Sequence, residues 1–465
     1  MTLPAAKKPQ ISHRRRWRSL KNRLARYTVT AGGISVIIAI ALIFFYLLWV
    51  VLPLFDNAAI QSRTSYTLDP TAETLHLAVD ETGTLGLRYT PDGQVAVFSL
   101  ASGELQKRLP LALDSAQISS FSPINPADNS FAIGTDDGRV LIGRHDFEAS
   151  FANGERTLHP VLKYPLGKKP LVLDKKGRAI TAIAARFNDN SAIIAGVLAD
   201  GQIKVASFAL QENFLTGKTT LARKAQWTLT ETLFNGETAR YLLIDPFQKW
   251  LYAAGESGNL LFFRLTAKGP QLIERVDLTQ NQGRLASLRF LIGGTSLLAG
   301  TSQGRISQWF PVRQSPNHFS LTNVRDFTAA DSAILDIAPE HRRKGFIATT
   351  ADGQLGLYHT TSNQVLLTRK VSDQAIEHVA ISARGNTLLT QSGDKIHLWS
   401  VDNDHPEISW SALWGQVWYE SYPEPRYIWQ SSAATSDFEP KFSLMPLVFG
   451  TLKAAFYAML FAVPL

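Results

Sequence analysis

"TADGQLGLYHT", Thr350 to Thr360, decides the fold. Its Asp-Gly pair makes a tight turn, and the run behind it, Gln354, Leu355, Gly356, Leu357, alternates side chains between two faces, which is the mark of a β-hairpin. The same construction recurs as "TPDGQVAVFSL" around Gly93, "GTDDGRVLIGR" around Gly138 and "LADGQIKVASF" around Gly201. It continues as "GESGNLLFFRL" around Gly258, "GTSQGRISQWF" around Gly304 and "QSGDKIHLWSV" around Gly393. Most of these hairpins have a companion strand upstream, such as "SFAIG" before Gly138, "KWLYAAG" before Gly258 and "GFIATT" before Gly353. The spacing, roughly 40 to 60 residues, is that at which four-stranded propeller blades repeat.

The repeated section resembles a WD40-like β-propeller with seven blades. Its last hairpin, "KIHLWSV" (Lys395 to Val401), is similar to the third strand of such a blade, although the Gly-His and Trp-Asp dipeptides of true WD40 repeats are missing. A pair of β-sandwiches is the competing architecture, disfavoured because a sandwich does not require one motif at a repeated period. The expected fold class is therefore all-β, a propeller inserted between two transmembrane α-helices. A propeller of this kind is either a binding and scaffolding surface or a structural spacer, and the residues leave both open.

Outward from the repeats, the charge is unevenly placed. The chain of 465 residues carries a net charge of +8, and nine basic residues fall within the first 26: Lys7, Lys8, Arg14, Arg15, Arg16, Arg18, Lys21, Arg23 and Arg26. Taking these nine from the 47 Lys and Arg leaves 38 against 39 acids, so the remainder has no general affinity for nucleic acid. The basic run abuts "TVTAGGISVIIAIALIFFYLLWVVLPLF", Thr28 to Phe55, which is uncharged and longer than the ~20 residues needed to cross a bilayer. Its core is too long for a secretory signal and ends at Trp49 and Pro53, so it is expected to remain as an anchor. The basic tail is read as a topology signal holding the N-terminus in the cytoplasm, in preference to an RNA- or lipid-binding arm. The expected segments are a basic tail (1–27), a first transmembrane helix (28–54) and a periplasmic propeller (55–409). An aromatic membrane-proximal linker (410–442) and a second transmembrane helix (443–465) follow.

Within the propeller no catalytic constellation emerges. The chain has no cysteine, which excludes thiol nucleophiles and thiolate metal sites. "GTSQG" (Gly300 to Gly304) matches a hydrolase nucleophile elbow, but a strand and not a helix follows Ser302. "TGKTT" (Thr216 to Thr220) lacks the glycine that a phosphate-binding loop needs at Glu212. The ten histidines show no metal-ligand spacing and are expected at surface or turn positions; the Asp of each Asp-Gly turn is expected to serve the turn. No cofactor, no metal and no enzyme activity are expected.

After the repeats, "WSALWGQVWYESYPEPRYIWQSS" (Trp410 to Ser432) concentrates Trp and Tyr, residues that favour the headgroup layer; packing beneath the propeller is the other reading. Then "LMPLVFGTLKAAFYAMLFAVPL", Leu444 to Leu465, is long enough to span. Its Leu447, the Gly450-Thr451 pair, the small and apolar run Ala454 to Ala462, and Val463-Pro464-Leu465 resemble the first core helix of ABC-importer permeases, the phosphate-specific permease subunit above all. Long members of that family are similar in placing a large extracytoplasmic domain between their first two membrane helices.

The resemblance implies an inner-membrane, multi-pass permease subunit that imports phosphate. It also implies three partners: a second permease subunit, a cytoplasmic ATPase dimer and a periplasmic phosphate-binding protein. It further implies that this chain is the N-terminal part of a longer protein, with the substrate-pathway helices beyond Leu465. Lys453 lies midway along the second span, where an ionisable group by default suggests a partner or a pathway. A lysine snorkelling to the outer headgroups is the slightly preferred reading. The alternative function is a membrane-anchored propeller acting as scaffold or sensor without transport.

Overall fold

The computed structural model describes residues 13–463 apart from 69–72, 153–154, 214–217, 234–235, 329–330 and 433–437. The chain divides into two compact units, 1–56 and 57–465. The first is one helix, α1 (His13–Val51), closed by a 3-10 turn, Leu52–Phe55. Its span Leu20–Phe55 is 36 residues long, about 54 Å of helix against a ~30 Å hydrocarbon core. The helix begins well inside the basic segment, because nothing between His13 and Thr28 interrupts it: Arg, Leu and Ala are good helix formers.

The second unit holds, among the described residues, seven antiparallel blades, six of four strands and one of five, besides a small two-stranded sheet. Blade 1 spans His76–Val79 to Leu105–Pro110, blade 3 Ile180–Phe187 to Lys218–Thr228, and blade 4 Tyr241–Ile244 to Gly269–Asp277. Blades 5 and 6 run from Leu285–Phe290 to His318–Thr328 and from Ile334–Pro339 to Gln364–Lys370. Blade 2 departs from the pattern: its third strand, Arg139–Ala152, pairs outwardly with both Glu155–Lys163 and Leu171–Val172. In blade 7 the strands His378–Ile381, Thr387–Ser392 and Lys395–Asp402 take as their fourth strand Ala59–Thr67, from the other end of the chain. The expected seven blades are present, and "KIHLWSV" is indeed a third strand.

The glycines of the repeat sit at the turn between second and third strands. Gly353 shows why: its φ is 82°, and an added Cβ would meet the Ser372 carbonyl oxygen at 2.1 Å. Both the left-handed backbone and the close approach demand a residue without a side chain.

There is no single central core. Seven apolar clusters each join two successive blades. One links Val205, Leu242 and Phe263 between blades 3 and 4, and another links Leu298, Phe327, Phe346 and Tyr358 between blades 5 and 6. Leu77 and Phe98 against Leu389 and Ile396 close the ring between blades 1 and 7. The Ala59–Thr67 strand covers the outer edge of the third strand of blade 7, which would otherwise lie unpaired.

The pairing Ala59↔Asp402 puts the incoming and outgoing ends of the propeller side by side. Asp402 ends a third strand, so these ends lie on the face that carries the first-to-second and third-to-fourth strand turns, opposite the glycine turns of the repeat. Residues 403–444 then lead to α3 (Met445–Ala462), an 18-residue helix whose described side chains are all exposed. A helix whose exposed side chains are apolar but for Thr451, Lys453 and Tyr457 suits lipid, not water. The chain is thus a β-propeller flanked in sequence by two helices long and apolar enough to cross a membrane.

Candidate functional site

Two places concentrate polar groups where a propeller ordinarily buries apolar ones. The first is the seat of segment 403–444 on blades 5 and 6. Ser409 caps α2 (Trp410–Trp414), its hydroxyl accepting from Ala412 N and donating to the Ser362 carbonyl. Leu444 N, at the start of α3, donates to the Leu413 carbonyl at 2.8 Å, which fastens the membrane helix to α2. Between them Glu420 accepts from Lys344 Nζ at 2.7 Å and from Ser296 Oγ at 2.6 Å, while Lys344 also donates to the Ile292 carbonyl. Arg325 donates to Gln308 Oε1 and to the Trp418 carbonyl, and Glu439 accepts from Thr361 Oγ1 and Glu420 N. Arg325 and Lys344 thus face Glu420 and Glu439, and the buried Lys441 joins them, its Nζ donating to the Glu439 carbonyl. Burial, then the neighbouring Glu420, pushes the Glu439 carboxyl above its usual range; burial pushes the Arg325 guanidinium down.

This corrects part of the headgroup reading of 410–442. Tyr419 is 1% exposed and packs with Ala412 and Val417, and Trp418 meets Phe310 edge-on at 6.2 Å. Their rings complete a polar seat that needs an apolar cover. Trp410, Trp414, Tyr427 and Trp429 remain exposed.

The second place is the axis of the ring, lined by the innermost strand of each blade. An inner chamber of about 80 Å³ is bounded by His76, His145, Arg186, Arg289, Asp336 and His341 among apolar walls. It adjoins a wider chamber of about 240 Å³ through His76, Pro123, Leu243 and Arg289. Arg289 pairs with Asp336 at 3.0 Å, and Asp336 is itself held by Ile337 N and Val379 N. His145 Nδ1 shares a 2.8 Å hydrogen bond with the Tyr89 hydroxyl. Burial pushes the His145 imidazole down to about 3 and, with Arg289, His378 and His145 nearby, holds His76 well below its ordinary value. These rings are neutral at ordinary pH.

The expectation that the histidines lie at surface or turn positions is therefore wrong for His76, His145 and His359, whereas His341 does lie in the bend between Ile334–Pro339 and Gly345–Thr350. His145 and His359 are buried and His76 lines the chamber, because their strands face the axis or a seam between blades. Neither Arg186 nor Arg289, Asp336, Lys344, Glu420 or Glu439 was singled out from the sequence. A signal existed: Arg-Phe ends the innermost strands of blades 3 and 5, placing a guanidinium where the pattern calls for an apolar side chain.

Other expected positions fall as follows. Ser302 lies in the turn between Leu297–Thr301 and Arg305–Ser315, its hydroxyl accepting from Arg284 N. Lys218 to Thr220 begin a strand, whereas Thr216 and Gly217 lie outside the described residues. Thr451 Oγ1 donates to the Leu447 carbonyl inside α3, and a Cβ at Gly450 would meet nothing within 4 Å. Lys453 Nζ lies 5.9 Å from the Tyr457 ring, and Pro464 lies outside the described residues. Arg14, Arg15 and Arg16 fall on α1; Arg18 and Trp49, also on α1, are exposed. No group of three or more metal-ligating side chains occurs among the described residues.

What fold and chemistry define is a membrane-anchored propeller with a charged axial chamber. No family model matches the chain, and no curated protein matches it. Among solved structures it is similar to the β-propeller domain of Cps50 (Swd1) from Myceliophteria thermophila. The identity there is 12% and the TM-score 0.49, over 74% of this chain and 100% of that one.

Proposed function

We propose that this chain is a permease subunit of a binding-protein-dependent ABC importer in a bacterial inner membrane, with inorganic phosphate as its substrate and the propeller as its periplasmic docking or regulatory domain. One observation carries the reading. Ala59 and Asp402 are paired neighbours, and residues 403–444 fix the start of α3 to that same face. A folded domain can be inserted between two successive membrane helices only if its ends lie close together, and the borrowed fourth strand of blade 7 supplies that closeness. The motif of α3, Gly450-Thr451 and the small residues after it, supports the permease assignment, and small residues at helix interfaces let membrane helices approach. The basic residues ahead of the apolar stretch of α1 support a cytoplasmic N-terminus and hence a periplasmic propeller.

The test is twofold: purification from native membranes with identification of co-purifying subunits, and phosphate uptake before and after disruption of the gene. An ATPase in the complex together with lost uptake supports the proposal. Unchanged uptake and no ATPase would leave the anchored scaffold or sensor as the function. Lys453→Met with unchanged uptake affinity removes Lys453 from any anion pathway and leaves it a snorkelling lysine.

A further inference from the structure

We infer that the axial chamber of the propeller binds a small oxyanion, gripped by Arg186 and Arg289. The inference concerns the propeller alone and stands whether or not the chain transports anything.

Arginine keeps its charge at any physiological pH, so a guanidinium placed in a largely apolar enclosure needs a counter-charge there. Arg289 has one in Asp336, which is already committed to two backbone N–H groups. Arg186 has none: among the described residues no carboxylate lies within 4 Å of it, its Nη1 donates only to the Ala185 carbonyl at 3.2 Å, and its buried Nε has no partner. Asp128 and Asp245 act on it only from a distance. Two arginines against one aspartate leave the inner chamber with a net positive charge. Its histidines are neutral and do not neutralise that charge, but their ring N–H groups add donors.

The lining restricts what can answer it. Leu243, Phe290, Ile337 and Ala380 wall the inner chamber, so its polar contacts fall to the two guanidinium groups, Asp336 and the histidines, and the donors among them suit an oxyanion. Planar guanidinium forks match oxyanion geometry with paired N–H···O bonds, which water cannot replace charge for charge. The wider chamber, lined by Ser120, Thr181, Arg240 and Tyr241 at the ends of inner strands on the glycine-turn face, supplies the approach.

Calorimetric titration of the full chain in detergent with inorganic phosphate and with sulfate, at constant ionic strength set by chloride, tests this. Binding of one ion per chain is expected, and a thermal shift in phosphate against chloride reads the same event without any variant. Arg186→Gln is expected to weaken binding about tenfold or more, Arg186→Lys to retain part of it, and Arg342→Ala, at an exposed site, to leave it unchanged. No binding to the unaltered protein at about 10 mM of either ion, a range that covers weak millimolar sites, overturns the inference. So does equal affinity of the unaltered protein and a folded Arg186→Gln variant.

Discussion

Lys344→Met probes how α3 is joined to the propeller. The Lys344 and Glu420 side chains are 2% and 10% exposed and their charged atoms lie 2.7 Å apart. Removing one partner of a buried pair costs about 3–5 kcal/mol, because the other charge stays behind unpaired. Here the abandoned Glu420 would also sit beside Glu439, whose carboxyl is already pushed up in part by it, and the Ile292 carbonyl would lose its donor. Against this, the segment's own apolar cluster is small, with Ala412, Val417 and Tyr419 at its centre. The cost therefore falls on the segment, while the seven seams that hold the ring are untouched. The expected result is local opening: amide exchange across 415–443 accelerates about a hundredfold or more while the blades keep their protection. Hydrogen exchange with mass spectrometry reads both regions in one sample. Lys344→Met combined with Glu420→Leu should recover most of the loss, since an apolar pair of similar volume replaces a buried ion pair at little cost. Unchanged exchange in 415–443, or equal loss across all blades, would refute the claim that this ion pair is the latch.

Gly353→Ala forces a left-handed alanine against the Ser372 carbonyl and should lower stability by about 1–3 kcal/mol or more in chemical denaturation, whereas Gly450→Ala should leave the propeller unchanged. Asp174, with Arg178 at 2.8 Å and Lys204 at 2.6 Å, has its carboxyl held well below 3.8, first by the Arg178 hydrogen bond. The unfolded chain then binds the extra proton first, so this stabilisation is full above the ordinary carboxylate range and is lost as pH falls; Asp174→Asn should flatten the acid limb of a stability–pH curve. Glu439 is raised, so its contribution has the opposite sign and is lost as pH rises; Glu439→Gln should gain stability toward neutral pH. Ile60→Ala, in the borrowed strand, should cost about 2–5 kcal/mol and raise exchange first in Lys395–Asp402, measurable by the same experiment.

The sequence alone determined the elements whose chemistry is local. An Asp-Gly or Ser-Gly turn and the alternating run behind it span fewer than a dozen residues, so each of the seven hairpins, and the turn role of an acid such as Asp352 beside Thr350, was legible from composition and order. Both candidate spans were legible for the same reason, since length and apolar content are properties of a continuous stretch. What only the tertiary structure decided is everything that joins distant residues. The strand Ala59–Thr67 finds its partner more than 300 positions away at Lys395–Asp402, and no local pattern names that partner. Tyr419 and Trp418 carry an interfacial composition, yet they cover a buried charge cluster built from blades 5 and 6. His76, Arg186, Arg289 and Asp336 come from four different blades and line one chamber only because ring closure turns every innermost strand toward one axis. A residue's neighbours along the chain set its turn and its periodicity; its burial and its charge partner are set by closure of the whole ring.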